Sequence, residues 1–221
     1  LPRGELYLAT PAVDWSGAYA YRTLAQSSDG LFIMAYDYYY AGSTKAGPVD
    51  ALTSSSRWGT YSVTWTVNDY ITHAGVDMAG KLFLGVPYYG YDWPTASLTP
   101  PSATSGNGTA KIYTTAVVNA VTYGGQWDNP GSVPFYAYTS TLPHQCFYDD
   151  SVSLGMKYDL ANVNSLGGAG MWALGYDGSR SELYNTLRDK FELPWPMAIG
   201  YLQLGKGAGS SVNPAWGSIG V

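Results

Sequence analysis

The sequence is poor in cysteine, in charged residues and in long apolar runs, and each scarcity excludes a class of protein. Its single cysteine, Cys146, allows no disulfide within the chain. Only 12% of the 221 residues are charged, the net charge is −5, and no basic cluster indicates a nucleic acid or an anionic membrane as a partner. No apolar run reaches the roughly 18 residues that a membrane-spanning helix needs. We therefore expect no nucleic-acid partner and no membrane segment.

Metal and phosphate sites also lack their usual signals. The two histidines, His73 and His144, are far apart in the sequence, and neither belongs to a Cys/Asp cluster of metal-binding spacing. No Gly-rich phosphate fingerprint follows a predicted strand. We therefore expect neither a metal nor a cofactor. The abundance of Tyr, Gly, Ser and Thr suits a secreted bacterial protein, which is our expectation for localisation.

One apolar segment ends in a carboxylate surrounded by phenols. Leu31 to Ala35 is apolar without alternation, which predicts a parallel strand covered on both faces. Tyr36 and Asp37 follow directly, and three further tyrosines, Tyr38 to Tyr40, come next. Ligands of parallel α/β folds bind at the edge where such strands end. The sequence therefore predicts a binding site around Asp37.

The same order of strand and helix recurs along the chain. Predicted strands cover residues 5–12, 31–36, 81–87 and 167–177, and predicted helices cover about 17–25, 64–75 with Thr64 as its cap, 151–165 and 181–191. Four strand-helix units without a phosphate fingerprint favour a parallel α/β barrel over a dinucleotide-binding fold. We divide the chain into barrel residues 1–96 and 149–193, an inserted α+β module at 97–148, and a tail or linker at 194–221.

Four segments resemble the second half of a glycoside hydrolase family 18 barrel, the family of chitinases. Leu6 to Ala12 resembles its fifth strand, Met34-Ala35-Tyr36-Asp37 the M-x-Y-D motif of its sixth, and Gly85 to Gly90 the G-x-P-F/Y-Y-G motif of its seventh. Gly170 to Asp177 resembles the eighth, and Asp149 to Lys157 the D-D-x-x-S-x-x-x-K run. The resemblance implies an α/β fold, namely the carboxyl-terminal (βα)5–8 portion of a TIM barrel with an inserted small α+β module.

The family's acidic motif, D-x-x-D-x-D-x-E at the end of the fourth strand, is missing from this sequence. The chain has only three glutamates, Glu5, Glu182 and Glu192, and none stands in that context. Because the chain begins just before the segment that resembles the fifth strand, we expect an incomplete barrel whose proton donor lies on another segment.

The resemblance also implies roles for six residues. Most similar enzymes use the N-acetyl group of the substrate as the nucleophile, and by resemblance Tyr36 hydrogen-bonds the acetamido oxygen while Asp37 contacts the distorted sugar. Met34 lines that pocket, Trp172 is its floor, and Tyr89 contacts substrate. Tyr91 stands where many members have arginine. Each could instead be an ordinary core or surface residue. Further candidates for sugar stacking are Tyr88, Trp58, Trp65, Trp93 and Trp127.

The sequence is compatible with three functions. The first is a chitinase-like hydrolase of β-1,4-linked N-acetylglucosamine polymers that is inactive as this chain alone. The second is a noncatalytic, lectin-like protein that binds chitin or other N-acetylglucosamine oligosaccharides. The third is a half-barrel that forms a homodimer through its exposed strand edges or pairs with the missing amino-terminal half.

Overall fold

A computed structural model describes residues 4–192 as a four-stranded, a five-stranded and a small two-stranded (β3-β6) sheet with helices packed around them. In chain order, the elements are β1 (Tyr7–Pro11), α1 (Tyr21–Ser27), β2 (Gly30–Met34), β3 (Lys45–Ala46), α2 (Val63–Ala74), a 3₁₀ helix (Val76–Lys81), β4 (Leu82–Pro87), β5 (Tyr89–Pro94), β6 (Ser102–Ala103), β7 (Thr109–Ile112), α3 (Tyr113–Tyr123), β8 (Gln126–Asp128), β9 (Val133–Thr139), β10 (Pro143–Phe147), α4 (Ser151–Val163), β11 (Gly168–Trp172) and α5 (Glu182–Phe191). The predicted tail, 194–221, lies outside the described residues.

The first sheet is fully parallel, with strand order β1-β2-β4-β11. Its four strands are the four predicted ones, so these predictions are confirmed. Their inner residues are buried because helices cover them: Leu31, Ile33, Leu82 and Leu84 have no exposed surface. Unbroken apolar strands of this kind are typical of parallel sheets covered on both faces. The protein is therefore an α/β fold.

Two predicted helix starts were wrong. Helix α1 begins at Tyr21 rather than at Gly17, because the carboxylate of Asp14 accepts hydrogen bonds from the backbone of Ser16, Ala18 and Tyr19 and holds this stretch as a turn. Helix α2 begins at Val63, two residues earlier than expected, and its cap is not Thr64. The hydroxyl of Ser62 accepts a hydrogen bond from the N–H of Trp65 and caps the helix.

Helix α4 starts as predicted from the sequence. The Asp150 carboxylate accepts hydrogen bonds from the N–H groups of Val152 and Ser153, and the Ser153 hydroxyl accepts one from the N–H of Asp150. This reciprocal capping fixes the start of the helix. The preceding residue, Asp149, is buried and pairs with Lys157 of the same helix.

The second sheet is antiparallel, with order β7-β5-β10-β9-β8. It begins at Tyr89, upstream of residue 97, where we placed the start of the inserted module. The sequence does not predict β5, because Gly90 and Pro94 interrupt the pattern typical of a strand. Gly90 is needed there, since a Cβ at this position would collide with the carbonyl oxygen of Phe147 on β10. The loop after β2 covers one part of this sheet, where Trp58, Trp93 and Phe147 pack together.

Two strands of the parallel sheet have a neighbour on one side alone within residues 4–192. Strand β1 pairs with β2, and β11 pairs with β4. Apolar side chains are exposed at both places: Leu6 and Tyr7 beside β1, and Trp172 and Leu174 at the end of β11. These strand edges and side chains are available for pairing with further chain.

Candidate functional site

The site lies where strands β2, β4 and β11 end. Strand β2 ends at Met34 and is followed by Tyr36 and Asp37. Strand β4 ends at Pro87, directly before Tyr88 and Tyr89. Because these strands are parallel and in register, their carboxyl ends meet at one edge of the sheet. The predicted site residues on β2 and β4 therefore come together.

Asp37 forms one cluster with Tyr36, Tyr89 and Tyr91. The hydroxyl of Tyr89 donates a hydrogen bond of 2.6 Å to Oδ1 of Asp37. Tyr89 also contacts Tyr36 and Tyr91 edge to face, with ring centroids 6.2 and 5.6 Å away. Asp37 has a left-handed backbone conformation, with φ of 62°. The cluster therefore holds this carboxyl group through neutral phenols.

The environment raises the pKa of two groups in this cluster. Asp37 is solvent-accessible, but the dense protein around its carboxyl group partly desolvates it and raises its pKa, against the hydrogen bonds of Tyr89 and Tyr91, which lower it. Burial, with a smaller effect of the Asp37 charge, raises the pKa of Tyr36 to about 12. Tyr36 is therefore a protonated phenol at neutral pH and can donate a hydrogen bond.

Trp172 and Met34 are the last residues of β11 and β2, at the same sheet edge as this cluster. Trp172 is the last residue of β11, its carbonyl oxygen accepts a hydrogen bond from the N–H of Tyr88, and the residue is 56% exposed. A large apolar ring open to solvent at a sheet edge is available to a ligand. Met34 is half-buried at the end of β2. The structure thus places all six predicted residues at one edge of the sheet.

Three of the additional aromatic candidates are wrong. Tyr88, Trp58 and Trp93 are at most 4% exposed, so their rings cannot stack on a ligand. The sequence could not separate them from surface aromatics: Trp58 and Trp93 are buried at the second sheet, whose strand β5 was not predicted, and Tyr88 is buried in the main core beside Tyr158. Trp65 and Trp127 are half-buried.

None of the three glutamates of the chain lies in the Asp37 cluster. Glu5 precedes the amino end of β1, at the opposite edge of the sheet, and Glu192 lies near Arg188 at the end of α5. Glu182 accepts hydrogen bonds from Tyr113 and Arg180. Burial raises the pKa of Glu182, but hydrogen bonds from its own backbone, Arg180 and Tyr113 outweigh it and lower the pKa overall. Glu182 is therefore ionised and is a poor proton donor.

An aromatic groove that the sequence analysis missed is lined by the chain that directly follows Asp37. The groove has a volume of about 480 Å³ and lies between the chain that follows Asp37 and residues 58–61. Its lining includes four tyrosines, several hydroxyl groups and one lysine: Tyr38, Tyr39, Tyr40, Tyr61, Ser43, Thr44, Thr60 and Lys45. The one sequence signal for it was the length of the loop after β2, because long loops are usually functional.

The described residues hold no group of three or more His, Cys, Asp or Glu side chains that could bind a metal ion. Within the same residues, every helix is too short or too polar to cross a membrane. The single cysteine is fully buried on β10, and burial raises its thiol pKa far above the usual range, so it is not a reactive nucleophile.

Comparison with known proteins identifies relatives of this chain. The chain is 29% identical to the cortical fragment-lytic enzyme of Bacillus subtilis (strain 168), covering 84% of this chain and 40% of that protein. It is also 29% identical to chitinase A1 of Niallia circulans, covering 87% of this chain and 30% of that protein. The chain thus spans less than half the length of these relatives.

Solved structures agree on the fold. The Group IV chitinase of Ostrinia furnacalis aligns with a TM-score of 0.74 at 20% identity, covering 86% of this chain and 58% of that one. A chitinase-like agglutinin from Robinia pseudoacacia aligns with a TM-score of 0.71 at 21% identity, covering 86% of this chain and 56% of that one. Residues 3–177 match the profile of the family described as Glycosyl hydrolases family 18. The chain therefore belongs to glycoside hydrolase family 18.

Proposed function

We propose that this chain supplies the substrate-orienting half of a chitinase-type active site acting on β-1,4-linked N-acetylglucosamine polymers. The observation that carries the proposal is the Asp37 cluster: an accessible carboxyl group and a protonated phenol, Tyr36, lie at the same sheet edge as the exposed ring of Trp172. Chitinase names among the relatives support the choice of substrate.

The proposed chemistry is substrate-assisted and retaining. The carbonyl oxygen of the substrate's N-acetyl group bonds to the anomeric carbon while the glycosidic bond breaks and a carboxylic acid protonates the leaving oxygen. Tyr36 donates a hydrogen bond to the acetamido oxygen and aligns it for attack. Asp37 contacts the distorted sugar, where its carboxylate favours the positive charge that develops. Trp172 is the floor that stacks on the pyranose ring, Met34 lines the pocket, and Tyr89 and Tyr91 hold Asp37 and border the next sugar.

The proton donor is the group that this chain does not provide in our proposal. Glu182, the glutamate nearest to the carboxyl edge in sequence, is ionised and engaged by Arg180 and Tyr113. We propose that residues 4–192 form the carboxyl-terminal (βα)5–8 portion of a barrel with an inserted module, and that the acid belongs to the remainder. The open edges of β1 and β11 support this architecture, because further parallel strands could pair with both.

The test is turnover of a fluorogenic chitobioside by this chain alone, with Asp37→Asn as the matched inactive control. We expect no turnover above that control. Turnover comparable to that of ordinary chitinases, with no second fragment added, would contradict the proposal that the proton donor is not on this chain.

Light scattering tests whether the edges of β1 and β11 are open. We expect a dimer or larger species, and a monomer at high concentration would mean that the edges are covered in another way.

A noncatalytic, lectin-like function is the second candidate. The placement of all three glutamates away from the Asp37 cluster favours it, and the agglutinin among the structural neighbours shows that this fold occurs in a protein with that name. Under this function the chain binds chitooligosaccharides through Trp172 and does not hydrolyse them, even as part of a complete barrel. For either function we propose a secreted protein, in keeping with the glycan substrate.

A further inference from the structure

This aromatic groove has the composition of a sugar-binding site. Tyr38, which lines the groove, follows Asp37 directly in the sequence, so one segment of chain serves both the groove and the proposed substrate site. Tyr40 is 53% exposed and Tyr61 is 37% exposed, which leaves ring surface for stacking. Its volume of about 480 Å³ lies within the range of roughly 300–1,000 Å³ typical of small-molecule sites. Aromatic faces mixed with hydroxyl groups suit a pyranose, which has apolar faces and a polar rim.

The charge of the groove comes from Lys45. Its Nζ donates a hydrogen bond of 3.0 Å to the carbonyl oxygen of Arg57. The same nitrogen lies 5.5 Å from the ring centre of Tyr39 and 5.4 Å from that of Trp58, so cation–π attraction holds it in place. No carboxylate of residues 4–192 lies within ion-pair distance of Lys45. An ammonium group has three donors, and a carbonyl oxygen takes one of them.

The neighbouring charge does not neutralise this lysine. Arg57, whose backbone holds Lys45, directs its own guanidinium group to the buried carboxylate of Asp128, 3.0 Å away. Asp128 is further held by the indole N–H of Trp58 at 2.5 Å. The carboxylate of Asp128 is therefore occupied, and Lys45 is the one charged side chain among the residues that line the groove.

We propose that this groove is a second saccharide subsite that selects glycans bearing a carboxylate, with Lys45 as the residue that recognises it. The inference rests on the proposed function, since the groove is lined by the segment that directly follows Asp37. The occupant is an N-acetylhexosamine polymer in which some residues carry an acidic substituent. A neutral N-acetylglucosamine polymer would fill the aromatic part of the groove and leave the charge of Lys45 unmatched.

The test is calorimetric titration of the protein with two matched probes. The first is a tetrasaccharide of β-1,4-linked N-acetylhexosamines whose alternate residues carry a lactyl carboxylate. The second is the same tetrasaccharide with each carboxylate converted to a primary amide. We expect wild-type protein to bind the acidic probe about ten-fold or more tightly than the amide, because hydrogen bonds between ionised partners are stronger than neutral ones.

Three variants assign the preference to Lys45. Lys45→Met keeps the aliphatic stem and removes the charge, and we expect it to bind both probes with the affinity of the amide. Lys45→Arg should keep the preference. Lys111→Met removes an equal charge from β7, in the other sheet, and should also keep it, which excludes a general effect of net charge.

The outcomes separate this inference from the proposed function. Equal binding of both probes by wild-type protein, or a preference that survives in Lys45→Met, would overturn the inference. If neutral tetra-N-acetylchitotetraose still bound in a Trp172-dependent manner, the proposed function would stand. Binding of none of these glycans would overturn both.

Discussion

Asp37 and Asp50 lie on the same segment after β2, and the protein treats these two carboxyl groups in opposite ways. Burial raises the pKa of both. Asp37 is open to solvent, and its polar neighbours are the neutral phenols of Tyr89 and Tyr91. Asp50 has no exposed surface, and its Oδ2 lies 2.5 Å from Nζ of the equally buried Lys157, which also pairs with Asp149.

The difference separates a binding group from a structural one. A buried lysine between two carboxylates joins the loop after β2 to α4 and to the chain just before it, and each member is needed to compensate the others. Neutral phenols can position Asp37 without neutralising it, and solvent access lets a ligand replace water there. We therefore expect changes at the Lys157 cluster to alter stability, and changes at Asp37 to alter binding.

The largest expected effect is the loss of stability in Lys157→Met. The substitution keeps the aliphatic stem and removes the charge, which leaves Asp50 and Asp149 buried together without a cation. Removing one partner of a buried ion pair costs about 3–5 kcal/mol. Urea denaturation should show a loss of this size, while Asp37→Asn should change the free energy of unfolding by less than about 1 kcal/mol. Equal losses of unfolding free energy in both variants would contradict the distinction between a structural and a binding carboxyl group.

The pH dependence of stability is the next effect. Burial, followed by the nearby charge of Asp149, raises the pKa of Asp50 well above its usual value. The native state therefore holds a proton that the unfolded state releases, so this contribution is complete below about pH 4 and is lost as pH rises through the raised pKa. The stability of wild-type protein relative to Asp50→Asn should fall over that range, by at most about 1.4 kcal/mol per pH unit. A pH-independent difference in denaturation free energy would contradict this assignment.

The sequence predicted the parallel sheet well and the second sheet poorly. Continuous apolar strands such as Leu31 to Ala35 carry their own signal, since burial on both faces demands it. Strand β5 carries no such signal, because it contains Gly90 and Pro94, whose positions are set by contacts with β10, a strand distant in the sequence. The motif resemblance predicted that Tyr36, Asp37 and Trp172 lie at one sheet edge. The environment of Lys45 could not be predicted in this way, because it depends on the contact with Trp58, which lies 13 residues further along the chain and belongs to no local sequence pattern.

Trp172→Ala should weaken glycan binding without destabilising the fold. The ring is 56% exposed, so its loss leaves little cavity. Aromatic stacking contributes about 0.5–1.5 kcal/mol beyond area burial, which predicts a loss of up to about ten-fold in affinity for tetra-N-acetylchitotetraose from stacking alone. Trp93→Phe, in the buried second sheet, is the matched control and should lose stability instead. Unchanged affinity in Trp172→Ala would remove this ring from the site.

The smallest expected effect is a change in the pKa of Asp37 in Tyr91→Phe. Tyr91 lowers this pKa as a hydrogen-bond donor, so its removal should raise the pKa of Asp37 further. One hydrogen bond contributes about 0.5–1.5 kcal/mol, and Tyr89→Phe should have the larger effect because its hydroxyl lies 2.6 Å from the carboxylate. Carbon-detected NMR titration of the Asp37 carboxyl group measures both. A lowered pKa in either variant would mean that the phenols do not donate to Asp37.

Titration of tetra-N-acetylchitotetraose into Asp37→Asn and Asp50→Asn tests the central claim most directly. Both variants replace a carboxyl group of raised pKa by its neutral isostere, and they differ in which of the two groups is lost. We predict that Asp37→Asn weakens binding by about ten-fold, since a charge-assisted contact is lost, and that Asp50→Asn binds as wild-type protein does. Wild-type affinity in Asp37→Asn, or an equal loss in both variants, would contradict the claim that Asp37 is the ligand-binding carboxylate.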